Sequence, residues 1–317
     1  MARSPDYVVI FLLFVLGLLL LFLGRDQIAR RAGPGRLAAR ACCYDFDVPI
    51  TDSSVRLMAR YLQRTDRYRQ SWTWIGIGVS IVSAFTWKPP GGGGWGLVSF
   101  PPTSNVFLMA FGFWFVGLVR SELYNLRPRY YGPRTASLEV REVHRYLPNR
   151  MVYLPRISAV LAVALVVTDR LLAQPSLHAT TVLTLGVLAL IALCVTEATQ
   201  RGIALRSRPT VSADLQAADE AIRRMASWSV AYGASGLITL LASIETFLIT
   251  DQVPTYVASH LLGSYSRVMQ TNVFPRNLFV LLGVALFVWS VGLAVQAGRM
   301  VRPAPRSLRR VTAELAR

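Results

Sequence analysis

Seven apolar segments alternate with polar, arginine-rich stretches along the chain. They cover residues 7–24, 71–87, 103–123, 153–168, 178–200, 229–250 and 277–298. A helix that crosses a membrane needs about 20 mainly apolar residues, because the hydrocarbon core is about 30 Å thick and each residue adds about 1.5 Å. The pattern therefore predicts an all-α polytopic helix bundle, a single membrane domain over residues 1–317 with about seven transmembrane helices.

The composition supports a membrane protein. The chain is 53% hydrophobic and only 16% charged, and its mean hydropathy is +0.41. An ordinary soluble domain carries about 25% charged residues. The composition therefore excludes a soluble globular protein and favours a multi-pass membrane protein; we expect a bacterial inner (plasma) membrane, the location that the resemblance given below implies.

The distribution of arginine predicts the orientation of the spans. With the N-terminus outside and the C-terminus in the cytoplasm, 29 of the 34 basic residues lie on the inner side and 5 on the outer side. Cytoplasmic loops carry such an excess of Lys and Arg. The first span has the alternative of a cleaved signal peptide. We favour an anchor, because Arg25, Arg30 and Arg31 follow the apolar run, whereas one arginine precedes it.

The net charge of +17 then has a use other than nucleic-acid binding. Arginines on the inner side attract anionic lipid headgroups. No basic patch with interleaved aromatic residues forms a recognisable nucleic-acid-binding module. We therefore expect the lipid bilayer and its anionic lipids as partners, and no nucleic acid.

Two stretches on the predicted inner side have the pattern of amphipathic helices. Residues 52–70 begin with Asp52, a good N-cap, and carry apolar or aromatic residues at one face. The arginines of this helix fall at spacings of four, four and three, which predicts a stripe of lipid-headgroup contacts: Arg56, Arg60, Arg64 and Arg67. The second helix covers 212–226. Each helix either leads into the next span or docks on a cytoplasmic ATPase or another membrane subunit.

Weak internal repetition follows the first span. Three predicted hairpins each end on the inner side in a basic stretch with an Arg-Pro dipeptide, and Trp114 and Trp289 begin the similar segments WFVGL and WSVGL. One hypothesis is a duplicated hairpin. The alternative groups the spans as three, one and three, which is also the plan of SWEET transporters, but no matching loop motif supports sugar transport.

Glu245 is the most informative single residue, because it lies inside the sixth span. An ionisable group within a span is costly and usually faces a partner, a cavity or a proton path. The alternatives are an intramembrane functional acid and a simple hydrogen bond to Ser243, Thr246 or another helix. Glu122 and Glu197 lie at the inner ends of their spans, where we expect local arginines to pair with them: Arg120 and Arg201.

An outer polar cluster is a second candidate site. Its members fall near the outer ends of spans four to six: Asp169, His178, Asp251 and His260. Carboxylates and imidazoles suit zinc or manganese, but their spacing matches no metal motif, so capping of helix ends is the preferred interpretation. No metal and no cofactor are predicted. Cys42 and Cys43 are expected to be free cytoplasmic thiols.

The sequence contains no hydrolase elbow, zinc-protease motif or Walker loop, and it groups no nucleophile with a base and an orienting residue. It therefore predicts a non-enzymatic protein. The leading hypothesis is the membrane subunit or accessory of a transport or export system. The alternative is a proton-coupled secondary transporter that uses Glu245, and a membrane-embedded enzyme comes third.

Two short segments, AADEAIRR at 217–224 and RYLPNR at 145–150, resemble pieces of uncharacterised multi-pass membrane proteins of high-GC bacteria. The resemblance covers about a tenth of the chain and includes no catalytic residue. Proteins of that group often accompany ABC-type ATPases, so the resemblance implies a role connected with transport.

Overall fold

The computed structural model describes residues 35–86, 102–126, 143–171, 179–206, 212–250, 274–300 and 303–315. Within these ranges the chain forms α-helices and one short 3₁₀ turn, with no strand. The helices are α1 (Arg36–Asp45), α2 (Asp52–Thr86), α3 (Pro102–Leu126), α4 (Asn149–Leu171), α5 (Ala179–Leu205), α6 (Ala213–Thr250), α7 (Phe274–Arg299) and α8 (Pro305–Leu315). The predicted all-α class is confirmed for the described part.

Four of these helices, α4 to α7, are long and apolar enough to cross a membrane. They cover the last four predicted spans, except for His178, which lies outside the described residues. The second and third predicted spans lie in α2 and α3, which are not among the four, and the first span lies outside the described residues. The chain is thus a helical protein with four candidate membrane-spanning helices in its described part.

Helix α6 forms the centre of the bundle. It packs against α2, α3, α4, α5 and α7, and 94% of its most apolar stretch is buried inside the protein. Small residues allow this close packing: a Cβ added at Gly236 would lie 3.1 Å from the Ser290 carbonyl oxygen of α7. By contrast, α4, α5 and α7 expose large apolar side chains such as Ile157, Ile191 and Leu281. These outer faces suit contact with lipid.

The predicted amphipathic helix 52–70 is the first half of α2, not a separate element. No glycine or proline occurs at the junction with the following apolar segment, and the helix continues through Gly76 and Gly78 to Thr86. Its apolar face, with Val55, Met58 and Leu62, is buried in the protein core. Protein therefore covers this apolar face, and the stretch leads into the next predicted span, which is one of the two alternatives given for it.

The second amphipathic stretch, 212–226, likewise forms the start of α6. Its apolar side chains Ala218, Ile222 and Met225 are buried in the same core. Both stretches are therefore lead-ins to longer helices.

Helices α1 and α8 pack together beside α2. The Ala304 backbone N–H donates to Asp45 Oδ2 at 2.8 Å, and the Ser307 hydroxyl also donates to the Asp45 carboxylate. Asp45 thus caps the start of α8 from another helix, just before Pro305 at the favourable first helical position. The Tyr44 hydroxyl donates to Glu314 near the other end of α8.

The described packing does not support the hairpin repeat. Trp114 is 7% exposed and packs in the core, whereas Trp289, its counterpart in the similar segment, is 59% exposed. A Cβ at Gly117 would lie 2.8 Å from the Trp72 Cβ, but one at Gly292 would meet nothing within 4 Å. The matched segments therefore occupy different environments.

Candidate functional site

The Glu245 side chain is completely buried in α6. Neither of its carboxylate oxygens has a hydrogen-bond partner among the described residues. The nearby hydroxyls are used elsewhere: Ser243 donates to the Gly283 carbonyl at 2.7 Å, and Thr246 donates to the Ala242 carbonyl at 2.8 Å. The simple local hydrogen bond considered for Glu245 is thus absent from the described structure.

A second buried carboxylate lies close to Glu245. Asp169, on α4, is 1% exposed and near enough to interact electrostatically with Glu245. Asp169 lies two residues before the end of α4, and Glu245 lies five residues before the end of α6. The structure therefore brings one residue of the predicted outer cluster to the predicted intramembrane acid.

Gly186, on the third helix α5, lies next to Glu245. We refer to Glu245 and Asp169 as the carboxylate pair. A Cβ added at Gly186 would lie 3.6 Å from Glu245 Oε1 and 2.5 Å from Val166 Cγ2 of α4. A side chain at position 186 would therefore displace Val166 and press towards the carboxylate. The glycine permits close approach of α4 and α5.

The three helices that carry Glu245, Asp169 and Gly186 also contribute buried apolar side chains to the core, among them Leu165, Val182 and Ile249. An ionised carboxylate without a partner is expensive in such a place, by several kcal/mol. Two ionised carboxylates near each other also repel. The arrangement can bind a proton or a small cation, which would relieve both costs.

The remaining members of the outer cluster, His178, Asp251 and His260, lie outside the described residues. In the described ranges, no group of three or more His, Cys, Asp or Glu side chains is placed to hold a metal ion. The clustering of all four outer residues stays a prediction.

A second buried polar group links α2, α3, α6 and α7. The Tyr61 hydroxyl donates to Glu122 Oε1 at 2.9 Å, and burial raises the pKa of Tyr61 well above its usual value, so the phenol stays protonated. Arg69 is 6% exposed and donates to the Ser229 hydroxyl, which in turn donates to the Ala297 carbonyl at 3.0 Å. Sequence reasoning missed Arg69, although its spacing of eight from Tyr61 predicts a shared helix face.

Glu197 and Glu122 were both expected to pair with a nearby arginine, and only Glu197 has the expected partner. Glu197 does pair with Arg201, at 3.7 Å, and more closely with Arg156, at 2.9 Å. Glu122 accepts a hydrogen bond from Tyr61, whereas the expected partner Arg120 lies over the Trp72 ring.

Another buried arginine fastens α5 to α6. Arg223 is 1% exposed and lies 2.8 Å from Asp219. It also donates to the carbonyls of Ile203 and Ala204, which are among the last in α5. Those carbonyls have no partner within their own helix, so Arg223 acts as a C-terminal cap.

The predicted stripe of arginines lies on the face of α2 that points away from the protein core. Arg56, Arg60 and Arg67 are exposed, and Arg64 is half-buried. Arg64 donates to Asn125 Oδ1 of α3 at 3.1 Å and lies 5.0 Å from the centre of the Tyr124 ring. The stripe thus faces the α2–α3 boundary.

Comparisons with protein-family models, curated proteins and solved structures found no match for this chain.

Proposed function

We propose that the chain is a proton-coupled membrane transporter in which Glu245 binds and releases the coupling proton. The observation that supports this function is the complete burial of Glu245, without a described hydrogen-bond partner, beside Asp169. Ionisable groups inside membrane helices commonly mark ion pathways and proton relays. This proposal favours the alternative from the sequence over a purely accessory role.

The chemistry requires one carboxyl group and one proton. When Glu245 is protonated, the site is neutral at that residue and suits the apolar space between α4, α5 and α6. Release of the proton leaves a carboxylate that needs water, a cation or a change in packing for stabilisation. Loss of the proton is thereby coupled to a change in the helices around it, and Asp169 makes the ionised state still less favourable through repulsion.

The number of spans and their orientation in the membrane are part of the same proposal. Seven spans in a bacterial inner membrane, with the N-terminus outside, place the carboxylate pair near the outer ends of α4 and α6. A proton then reaches the pair from the outer side over a short distance, because Glu245 lies about 8 Å along the helix from Thr250.

A cytoplasmic ATPase or another membrane subunit remains a partner hypothesis. The apolar faces of both inner amphipathic stretches are buried within the chain itself. Such a partner would therefore meet polar surface, including the exposed side chains of Arg56 and Arg224. Co-purification from native membranes with an ATPase supports this hypothesis, and recovery of the protein alone counts against it.

Charge movement after a pH jump tests the proton-binding function without knowledge of the substrate. The full chain is reconstituted in liposomes on a solid-supported membrane, and the transient current is recorded. We expect a transient in the wild type that is lost in Glu245→Gln. Glu197→Gln is the matched control, because Glu197 is also on a spanning helix but is partly exposed and paired with arginines.

Two results would contradict the proposal. One is a transient of equal size in the wild type and in Glu245→Gln. The other is an equal loss in Glu245→Gln and Glu197→Gln, which would indicate a general effect of removing a carboxylate.

A further inference from the structure

An open groove of about 480 Å³ lies between α2 and α3 on the predicted inner side. Three arginines, three aromatic residues, one glutamine and one serine line it: Arg60, Gln63, Arg64, Arg67, Tyr68, Ser71, Trp72 and Tyr124. The lining includes no Asp or Glu, so its formal charge is +3. We refer to it as the basic groove.

The arginines of the basic groove are arranged along one face of α2. Their spacings of four and three place them on successive turns, over about 10 Å of helix. Arg64 is oriented by Asn125 and by the Tyr124 ring, which it approaches to 5.0 Å. Arg60 and Arg67, one turn away on either side, are exposed. This arrangement lines one open groove with three arginines.

The aromatic side chains indicate the depth of the groove in the membrane. Tyr68, Trp72 and Tyr124 lie where the polar half of α2 meets its apolar half, at the start of the predicted span 71–87. Tyr and Trp are enriched at membrane–water interfaces. Arg120, positioned over Trp72 at 5.6 Å, adds a positive charge beside the groove. The basic groove therefore lies at the level of the inner headgroups.

We propose that the basic groove binds the phosphodiester group of an anionic phospholipid from the inner leaflet. Arginine suits a phosphate because its planar guanidinium donates two parallel hydrogen bonds. Basic pockets next to membrane helices on the cytoplasmic side bind lipid headgroups in this way. The open side of the groove leaves room for the acyl chains to continue along the apolar half of α2.

The basic groove is one site with a defined lining, which distinguishes it from the general attraction of arginines to lipid. It is also independent of proton binding, because it lies at the opposite end of the predicted spans from the carboxylate pair. Loss of lipid binding and loss of the pH-jump current are therefore separate outcomes.

Displacement of a fluorescent phosphatidylglycerol from the purified full chain tests the site. The test variant is Arg60→Gln with Arg67→Gln, which leaves the Arg64–Asn125 bond intact. Each arginine near a headgroup contributes about 1 kcal/mol, so we expect the double variant to weaken binding about 25-fold. The matched control is Arg306→Gln with Arg309→Gln, which removes two exposed arginines of α8 and should change binding less than about 2-fold.

Two further variants sharpen the result. Arg60→Lys with Arg67→Lys keeps the charge but loses the paired donors, so its binding should fall between those of the wild type and the glutamine variant. Ser71→Asp places a negative charge in the groove at an exposed position, and it should also weaken binding without removing any arginine contact.

The outcomes distinguish a lipid site from a free-phosphate site and from non-specific attraction. Selective weakening in the groove variants, with phosphatidylcholine and inorganic phosphate unable to displace the probe, supports the proposal. Displacement by inorganic phosphate as effective as by phosphatidylglycerol would show a free-phosphate site and overturn the lipid assignment. Equal weakening in the α8 control would show non-specific attraction and overturn the site.

Discussion

Arg69→Met tests whether the buried polar group that links α2, α3, α6 and α7 holds the bundle together. Arg69 is 6% exposed, bonds Ser229 of α6 and lies over the Trp114 ring of α3 at 5.7 Å. Its charge also interacts with Glu122. Methionine has a similar length but no charge and no donor, so the substitution removes the electrostatic compensation for Glu122 with little change in volume.

The expected cost follows from the loss of one partner in a buried ionic group, about 3–5 kcal/mol. At about 2–4 °C per kcal/mol, the apparent Tm falls by roughly 6–20 °C. The assay is thermal unfolding of the purified protein in detergent, followed by size-exclusion chromatography. Arg67→Met is the control: Arg67 is exposed two residues away, and its loss should cost no more than about 0.5 kcal/mol.

Glu122→Gln completes a double-mutant cycle. If Arg69 compensates the Glu122 charge, adding Glu122→Gln to Arg69→Met costs less than the sum of the two single changes, because no uncompensated carboxylate remains. A Tm of Arg69→Met equal to that of Arg67→Met, or strictly additive effects in the cycle, would refute this reasoning.

Three further predictions concern separate parts of the molecule. Gly186→Val should lower the Tm and the pH-jump current together, because its side chain meets α4 and presses towards Glu245; an unchanged current would contradict the described packing. Burial is the main cause that raises the pKa of Cys42 to about 12, so at pH 8 about one thiol in 10,000 is ionised. In a variant that keeps only this cysteine, maleimide labelling should therefore be slow in the folded protein, faster as the pH rises and rapid after unfolding. Fast labelling of the folded protein at pH 7 would contradict this prediction. Asp45→Ala removes the cap of the Ala304 N–H, costs about 1 kcal/mol locally and should increase proteolysis within α8, whereas an unchanged digestion rate would show that the cap does not hold α8 in place.

Local pattern was enough to predict the helical class and the last four spans, because length and hydropathy are properties of a continuous segment. It was not enough for the carboxylate pair. Asp169 and Glu245 belong to different predicted features, and their approach depends on how α4, α5 and α6 pack around Gly186. The local pattern of a single sequence does not predict contacts between residues of different helices.

The inner side shows a different limit. The arginine stripe of α2 was predicted from spacing; Arg56, Arg60 and Arg67 are exposed, and Arg64 is half-buried. The arginines of the predicted inner side were all expected to be exposed. Arg69 is buried instead, on the same face of α2 as Tyr61, which lies eight residues earlier. An amphipathic pattern does not distinguish a lipid surface from a protein core, so it could not predict that protein covers the apolar face of residues 52–70.

Proton binding by Glu245 is measured most directly by the infrared difference spectrum of the reconstituted protein as the external pH changes. A protonated carboxyl group in an apolar site absorbs separately from an ionised one. If Glu245 binds the proton, the wild type shows a titrating carboxyl band that disappears in Glu245→Gln and persists in Glu197→Gln. A band that remains unchanged in Glu245→Gln would contradict the assignment of the proton to Glu245.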